Sequence, residues 1–246
     1  MTEISFVVPA LDEAENLALN LPRLRALPGD AEILVVDGGS CDGSVAVAER
    51  LATVIHSEPG RGQQLRAGGQ AARGAVLVFL HADAWIDVEA LESALSALER
   101  GARAGCFRQR IEARAPIYRC IERAAALRAR LGVIYGDSGL FVSREVYREV
   151  GGYPPVPLFE DVLISRALRR LARPVVAERG RIHLSARRWK HRGPVRTTLL
   201  NWGLTAAFWA GVSPNRLARW YYPSTFDDEA RRSEVISSAS RETSSR

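Results

Sequence analysis

The sequence predicts a doubly wound α/β fold: a mostly parallel sheet, helices on both of its faces, and a helical C-terminal extension. Three observations carry this. Short apolar runs recur at residues 4–9, 32–37, 53–56 and 75–80. They lack the polar alternation of a half-solvated strand, so both faces of the sheet must be covered. Stretches of helical periodicity separate them, and that alternation builds parallel sheets.

The elements follow in order. Strand 4–9 leads into a helix at 15–27, in which Pro22 is expected to cause a kink or break. Strand 32–37 precedes a short helix at 44–51, and strand 53–56 precedes a helix at 63–72. Strand 75–80 is followed by a helix at 88–100. The second half is less regular, with a strand expected at 104–113, a helix at 117–131, a strand at 139–143 and an amphipathic helix at 159–171. A basic loop at 187–192 leads into a helix at 195–211. From residue 227 the chain is polar and rich in Ser, Arg and Glu, which is expected to be a disordered tail.

Composition narrows the function classes. The 246 residues are 47% hydrophobic and 25% charged, ordinary values for a globular domain. Cys41, Cys106 and Cys120 show no CxxC spacing, so neither a disulfide framework nor a zinc site is expected and a reducing cytoplasm is the expected setting. The N-terminus enters a strand at once, without the basic and apolar regions of a signal peptide. The longest apolar stretch, 199–212, is short of a spanning helix and interrupted by Asn201 and Thr205. A net charge of +6 favours an anionic partner: a phosphorylated small molecule, an anionic membrane surface or nucleic acid. No nucleic-acid recognition motif is present and the basic residues are spread along the chain, so nucleic acid is not expected.

In an open parallel sheet, ligands bind beyond the carboxyl ends of the strands. Three such ends carry chemistry: Pro9-Ala-Leu-Asp-Glu13, Asp37-Gly-Gly-Ser-Cys-Asp-Gly43 and His81-Ala-Asp83. None contains the glycine fingerprint of a dinucleotide site, and no Walker loop is present. Asp37 suits either a base or ribose contact or a turn; Asp42 suits a turn or helix cap. His81 and Asp83, one residue apart at an extended strand end, would point the same way and meet a cation bridging phosphates. Mg²⁺ or Mn²⁺ would prefer Asp83, with His81 either a second ligand or a phosphate hydrogen-bond donor. Glu160 and Asp161 open a helix, where acids are favoured anyway; a carboxylate there also suits a general base.

Taken in order, these segments resemble the family 2 glycosyltransferases, which have the GT-A fold. The landmarks are Val7-Val-Pro-Ala-Leu-Asp-Glu-Ala-Glu-Asn16, Val35-Val-Asp-Gly-Gly-Ser40, Gly60-Arg-Gly-Gln-Gln-Leu-Arg-Ala-Gly68, Leu80-His-Ala-Asp83, Gly151-Gly-Tyr153 and Phe159-Glu-Asp161. The sequence looks closest to a bacterial subgroup with LHAD in place of D-x-D. The resemblance implies a UDP- or GDP-sugar donor and inverting transfer, of a hexosyl group, to an acceptor hydroxyl or carboxyl, on an acceptor that is lipid-like in some relatives. Pro9, Leu11, Glu13 and Asp37 would surround the nucleoside, with Arg61, Arg66, His81, Ala82, Asp83 and Arg188 also at the donor. Asp83 and His81 would hold a divalent cation, Asp161 would be the catalytic base, and Asp137, Glu160 and Trp189 would lie on the acceptor side. His81 departs from the first Asp of D-x-D, which bears on metal affinity.

The expected organisation is one domain over residues 1–226. Residues 1–100 form the nucleotide-sugar-binding half, 101–190 the acceptor and catalytic half, and 191–226 the helical extension; the tail is 227–246. Arg187, Arg188 and Lys190 suit leaving-group stabilisation or a solvated basic patch. Two other functions compete: a nucleotidyltransferase, which would want a basic glycine loop where Leu11-Asp-Glu-Ala-Glu-Asn16 is acidic, and a non-catalytic module lying peripherally on the inner membrane face through Trp202, Phe208 and Trp209.

Overall fold

The computed structural model describes residues 3–186 and 193–221. Ten strands are described: β1 (Ile4–Ala10), β2 (Glu32–Asp37), β3 (Thr53–His56), β4 (Val76–Phe79), β5 (Ala84–Ile86), β6 (Ala104–Cys106), β7 (Gln109–Ile111), β8 (Leu140–Ser143), β9 (Val175–Val176) and β10 (Ile182–Leu184). The described helices are α1 (Ala14–Arg25), α2 (Ser44–Ala48), α3 (Arg61–Ala71), α4 (Val88–Glu99), α5 (Pro116–Arg130), α6 (Arg144–Glu149), α7 (Glu160–Leu171), α8 (Pro194–Trp209) and α9 (Pro214–Tyr221).

Seven strands form one sheet in the order β3-β2-β1-β4-β8-β6-β9, and β5-β10-β7 form a second. β3, β2, β1 and β4 run parallel, while β8 is antiparallel to both neighbours. The sheet is therefore mixed but mostly parallel. Alternate residues of β1 serve two cores. Phe6 and Val8 join Leu17, Leu21 and Leu24 of α1 and Leu91 of α4. Val7 joins Leu65 of α3 and Ile164 and Leu168 of α7 on the other face. Two covered faces explain the unbroken apolar runs.

Three expectations need correction. Of the two outcomes expected at Pro22, a kink or a break, the break does not occur: α1 continues to Arg25, held by Leu17, Leu21 and Leu24, each buried on one face. The single strand expected at 104–113 is two, because the chain leaves the larger sheet after Cys106 and pairs β7 with β10 in the smaller one. Residues 81–83 are not extended: the Ala84 N–H donates to the His81 carbonyl at 3.1 Å, closing a turn. Strand alternation therefore does not set the directions of His81 and Asp83.

The chain divides into two compact units between Thr197 and Thr198, inside the expected helical extension. No helix among the described residues is long and apolar enough to cross a membrane.

Candidate active site

Sheet register brings the chemistry to one edge. Ala10 at the end of β1 pairs with Asp37 at the end of β2, and Phe79 at the end of β4 pairs with Leu140. Because β8 is antiparallel, its beginning lies beside the end of β4. The 3-10 turn at Gly136–Ser138, just before β8, therefore reaches the edge where β1, β2 and β4 end.

The loops after β1 and β2 are cross-linked by short polar side chains. The Asp12 N–H donates to Ser40 Oγ at 2.9 Å, the Glu13 N–H to Ser44 Oγ at 2.8 Å, and the Ala14 N–H to Asp42 Oδ2 at 2.9 Å. In return the Cys41 N–H donates to Asp12 Oδ1 at 2.8 Å. Asp42 thus does the turn chemistry expected of it. Gln64, on α3, fastens the two strand ends by donating to the carbonyls of Ala10 and Val36 at 2.7 and 2.8 Å.

Asp37 is buried and organises its own turn: the Gly39 N–H donates to it at 3.0 Å and the Ser40 N–H at 3.2 Å. Burial pushes its carboxyl up, but hydrogen bonds from the Ser40 hydroxyl, the Gly39 and Ser40 amides and His56 outweigh that and hold it below its ordinary value. Asp37 is therefore an anion at the edge of the sheet. Pro9 lies within β1 and is buried, while Leu11 just beyond it is exposed.

The acid pair comes from the start of α7. Phe159, in the left-handed region at φ 64°, turns the chain into the helix. Acids that merely complement a helix dipole stay in solvent. Here Glu160 is 0% exposed and Asp161 9%, so burial must be compensated locally. Glu160 pairs with the guanidinium of Arg61 at the start of α3. Asp161 accepts from the Gly136 N–H and from its neighbour Val162 N–H, both at 2.7 Å. Burial, and then the Glu160 carboxylate, push the Asp161 carboxyl up to about 6, against the opposing pull of Arg61 and the two amides. A carboxylate held at that value changes charge near neutral pH, as general-base work requires.

Gly136 is where the turn after β4 meets the acid. A Cβ there would lie 2.5 Å from His81 Nε2 and 3.5 Å from Asp161 Oδ2, so His81 and Asp161 converge on a residue without a side chain. The turn itself is anchored by Asn20, whose amide donates to the Ala82 carbonyl at 2.8 Å. Beside Gly136, Asp137 lies 3.6 Å from Arg128, whose guanidinium stacks 3.7 Å over Tyr135. Ser138 accepts from Gln109 at 3.0 Å.

The structure thus groups Asp161, Glu160, Arg61 and His81 more tightly than their separate expected roles implied, with Asp137 next to Gly136 on its turn. Arg61 was expected at the donor and Glu160 at the acceptor, and they are ion-pair partners. Arg66 donates to the carbonyls of Gly151 and Tyr153 at 3.2 and 3.1 Å, fixing the loop before α7. Arg188 and Trp189 lie outside the described residues. Sequence reasoning missed Gln64, Asn20 and Arg128. For Gln64 the available signal was a polar side chain in the helix 63–72, which has few apolar residues with which to pack on the sheet.

Among the described residues no three His, Cys, Asp or Glu side chains converge as a metal cage. Mg²⁺ and Mn²⁺ at phosphate sites need only one or two carboxylates together with the phosphates. Asp83, on the turn beyond β4, is a carboxylate of the type such a cation would need.

The family described as Glycosyl transferase family 2 matches residues 5–142. An uncharacterized glycosyltransferase of Mycobacterium tuberculosis (strain ATCC 25618 / H37Rv) is 33% identical over 101 residues, which are 40% of this chain and 45% of the relative. The chain therefore spans less than half the length of that curated relative. Among solved structures, S. aureus TarS 1-349 in complex with UDP has a TM-score of 0.62 at 17% identity, covering 74% of this chain and 60% of that one. The mannosyltransferase PcManGT from Pyrobaculum calidifontis, in complex with GDP-Man and Mn2+, has a TM-score of 0.57 at 19% identity, covering 71% and 54%. The α/β fold expected from the sequence, of GT-A type, is the fold observed.

Proposed function

Because the chain belongs to glycosyl transferase family 2, whose match covers residues 5–142, we propose that it moves a sugar from a nucleotide donor to an acceptor hydroxyl by a single inverting displacement. The observation that carries this reading is the buried Asp161, tied to Gly136 at the edge where β1, β2 and β4 end. The UDP bound to TarS and the GDP-Man and Mn2+ bound to PcManGT support a nucleoside diphosphate sugar as donor.

Asp37, with Pro9, Leu11 and Glu13 across the neighbouring loop, holds the nucleoside. Asp83 would hold a Mg²⁺ or Mn²⁺ at the diphosphate end of the donor. When bound, that cation neutralises charge on the departing diphosphate. Asp161 takes the proton of the acceptor hydroxyl. The acceptor oxygen bonds to the anomeric carbon as the bond from that carbon to the diphosphate breaks, so the leaving group departs with the electron pair. Glu160 and Arg61 set the charge beside Asp161, while Arg188 is proposed at the donor and Trp189 on the acceptor side.

The test is turnover across a panel of UDP- and GDP-sugars, measured as released nucleoside diphosphate. One class of donor is expected to be consumed, with the rate falling on chelation and returning with Mn²⁺. If no nucleotide sugar is consumed, the transferase reading fails; indifference to the chelator would remove only the cation.

A pH profile provides a second check. The Asp161 carboxyl is pushed up to about 6, so kcat/KM is expected to rise through about pH 6 and level off above it. The same shift has the opposite consequence for stability. A carboxyl whose pKa is raised on folding favours the native state while protonated, and that contribution is lost as pH rises through about 6. Activity flat from acid to neutral pH would exclude Asp161 as the base.

A further inference from the structure

The C-terminal helices present a surface that transfer chemistry does not use. Residues 179–226 contain nine Lys and Arg and no Asp or Glu, and no residue between Arg196 and Arg216 is charged. Within that uncharged stretch, Leu199, Trp202, Ala206 and Trp209 follow one another at spacings of three and four, which places them on one side of α8. All are exposed: Leu199 by 59%, Trp202 by 63% and Trp209 by 55%, with Ala206 between them. Leu204, on the opposite side, is buried. The polar Thr205 turns its hydroxyl back to the Asn201 carbonyl at 2.7 Å. The outward side is therefore apolar along its length.

Gly211, at φ 92°, reverses the chain. The Val212 N–H donates to the Ala207 carbonyl and the Gly211 N–H to that of Phe208, both at 3.0 Å, closing α8 in a Schellman turn. α9 then buries Leu217 and Ala218 and exposes Arg216, Arg219 and Trp220, the last by 62%. Three of the chain's five tryptophans are thus solvent-exposed on two consecutive helices.

We propose that this two-helix unit docks on an anionic bilayer surface. Trp202, Trp209, Leu199 and Trp220 enter the boundary between headgroups and acyl chains, and Arg216 and Arg219 meet the lipid phosphates. An apolar helix side rich in Trp and flanked by Arg suits that boundary, where the amphipathic indole is favoured. Charge selects the lipid over a second copy of the chain: pairing two such faces would set Arg216 and Arg219 of one copy beside those of the other, whereas an anionic headgroup layer is complementary to them. This inference goes beyond the transferase reading and does not depend on it.

The experiment is co-sedimentation of the full chain with vesicles of phosphatidylcholine, with and without phosphatidylglycerol, together with quenching of Trp fluorescence by brominated lipid. The wild-type chain is expected to pellet with the phosphatidylglycerol vesicles, to be quenched there, and to be released in part by salt. Trp202→Ala/Trp209→Ala should weaken partitioning by about tenfold or more, since each indole loses a buried apolar surface. Arg216→Glu/Arg219→Glu should abolish the preference for the anionic lipid, and it keeps the proposal testable if the first variant misfolds by circular dichroism. Sedimentation unchanged by either double substitution would overturn the proposal. So would a wild-type chain that ignores phosphatidylglycerol vesicles and instead forms a dimer, by light scattering, that Trp202→Ala/Trp209→Ala dissociates.

Discussion

Asp161→Asn is expected to lower donor turnover by about 10²–10⁴-fold, the range that positioned general bases contribute. The substitution preserves shape but removes the proton acceptor. Both carboxylate oxygens accept backbone N–H groups, from Gly136 and from Val162. In either orientation the new amide therefore turns its NH₂ toward one of those donors, at a cost of about 1–3 kcal/mol for the group left unsatisfied. Turnover must be measured beside thermal unfolding, at a temperature where the variant is folded. A folded Asp161→Asn chain with wild-type turnover would remove Asp161 from the chemistry. A rate loss with donor affinity intact would assign the residue to the transfer step.

Arg61→Met should be the most damaging substitution for stability. It leaves the Glu160 carboxylate, which is fully buried, without the guanidinium that pairs with it. Breaking one side of a buried ion pair costs about 3–5 kcal/mol. Replacing both partners, as Arg61→Met/Glu160→Gln, should restore much of that loss, because no uncompensated charge remains. Denaturant unfolding of the two single variants and the double variant gives the coupling directly. If the double variant is as unstable as the sum of the singles, the pair is not coupled and Arg61 acts elsewhere. The pair also matters for Asp161, whose carboxyl Glu160 pushes up and Arg61 pulls down. The acidic limb of the activity profile is therefore set by both.

Much of this arrangement is legible in the sequence, and the parts that are not share a cause. Strands β1, β2 and β4 could be read because burial on both faces leaves apolar runs that need no partner to recognise, while β3 is half-buried only at Val54 and Ile55. Strands β5, β9 and β10 are two or three residues long, too short for any periodicity. Residues 104–113 misled because a change of sheet after Cys106 leaves the side-chain pattern unaltered. For the site, Asp37 and Asp161 stood out as acids at a strand end and a helix start. The ion pair between Glu160 and Arg61 spans 99 residues of chain, and only the antiparallel β8 and the Gly136 turn explain why the acid pair meets the ends of the parallel strands. The turn at 81–84 likewise depends on a backbone hydrogen bond that residue types do not reveal.

In the proposed reaction the strand ends of the first half hold a nucleoside diphosphate while Asp161 acts on the acceptor. Calorimetric titration of UDP and GDP, with Mn²⁺, into the wild-type chain and into Asp161→Asn tests both parts at once. One nucleotide is expected to bind both proteins with similar affinity, and Asp37→Ala is expected to lose it. Absence of binding by either nucleotide at millimolar concentration, or binding lost in Asp161→Asn and kept in Asp37→Ala, would contradict these roles.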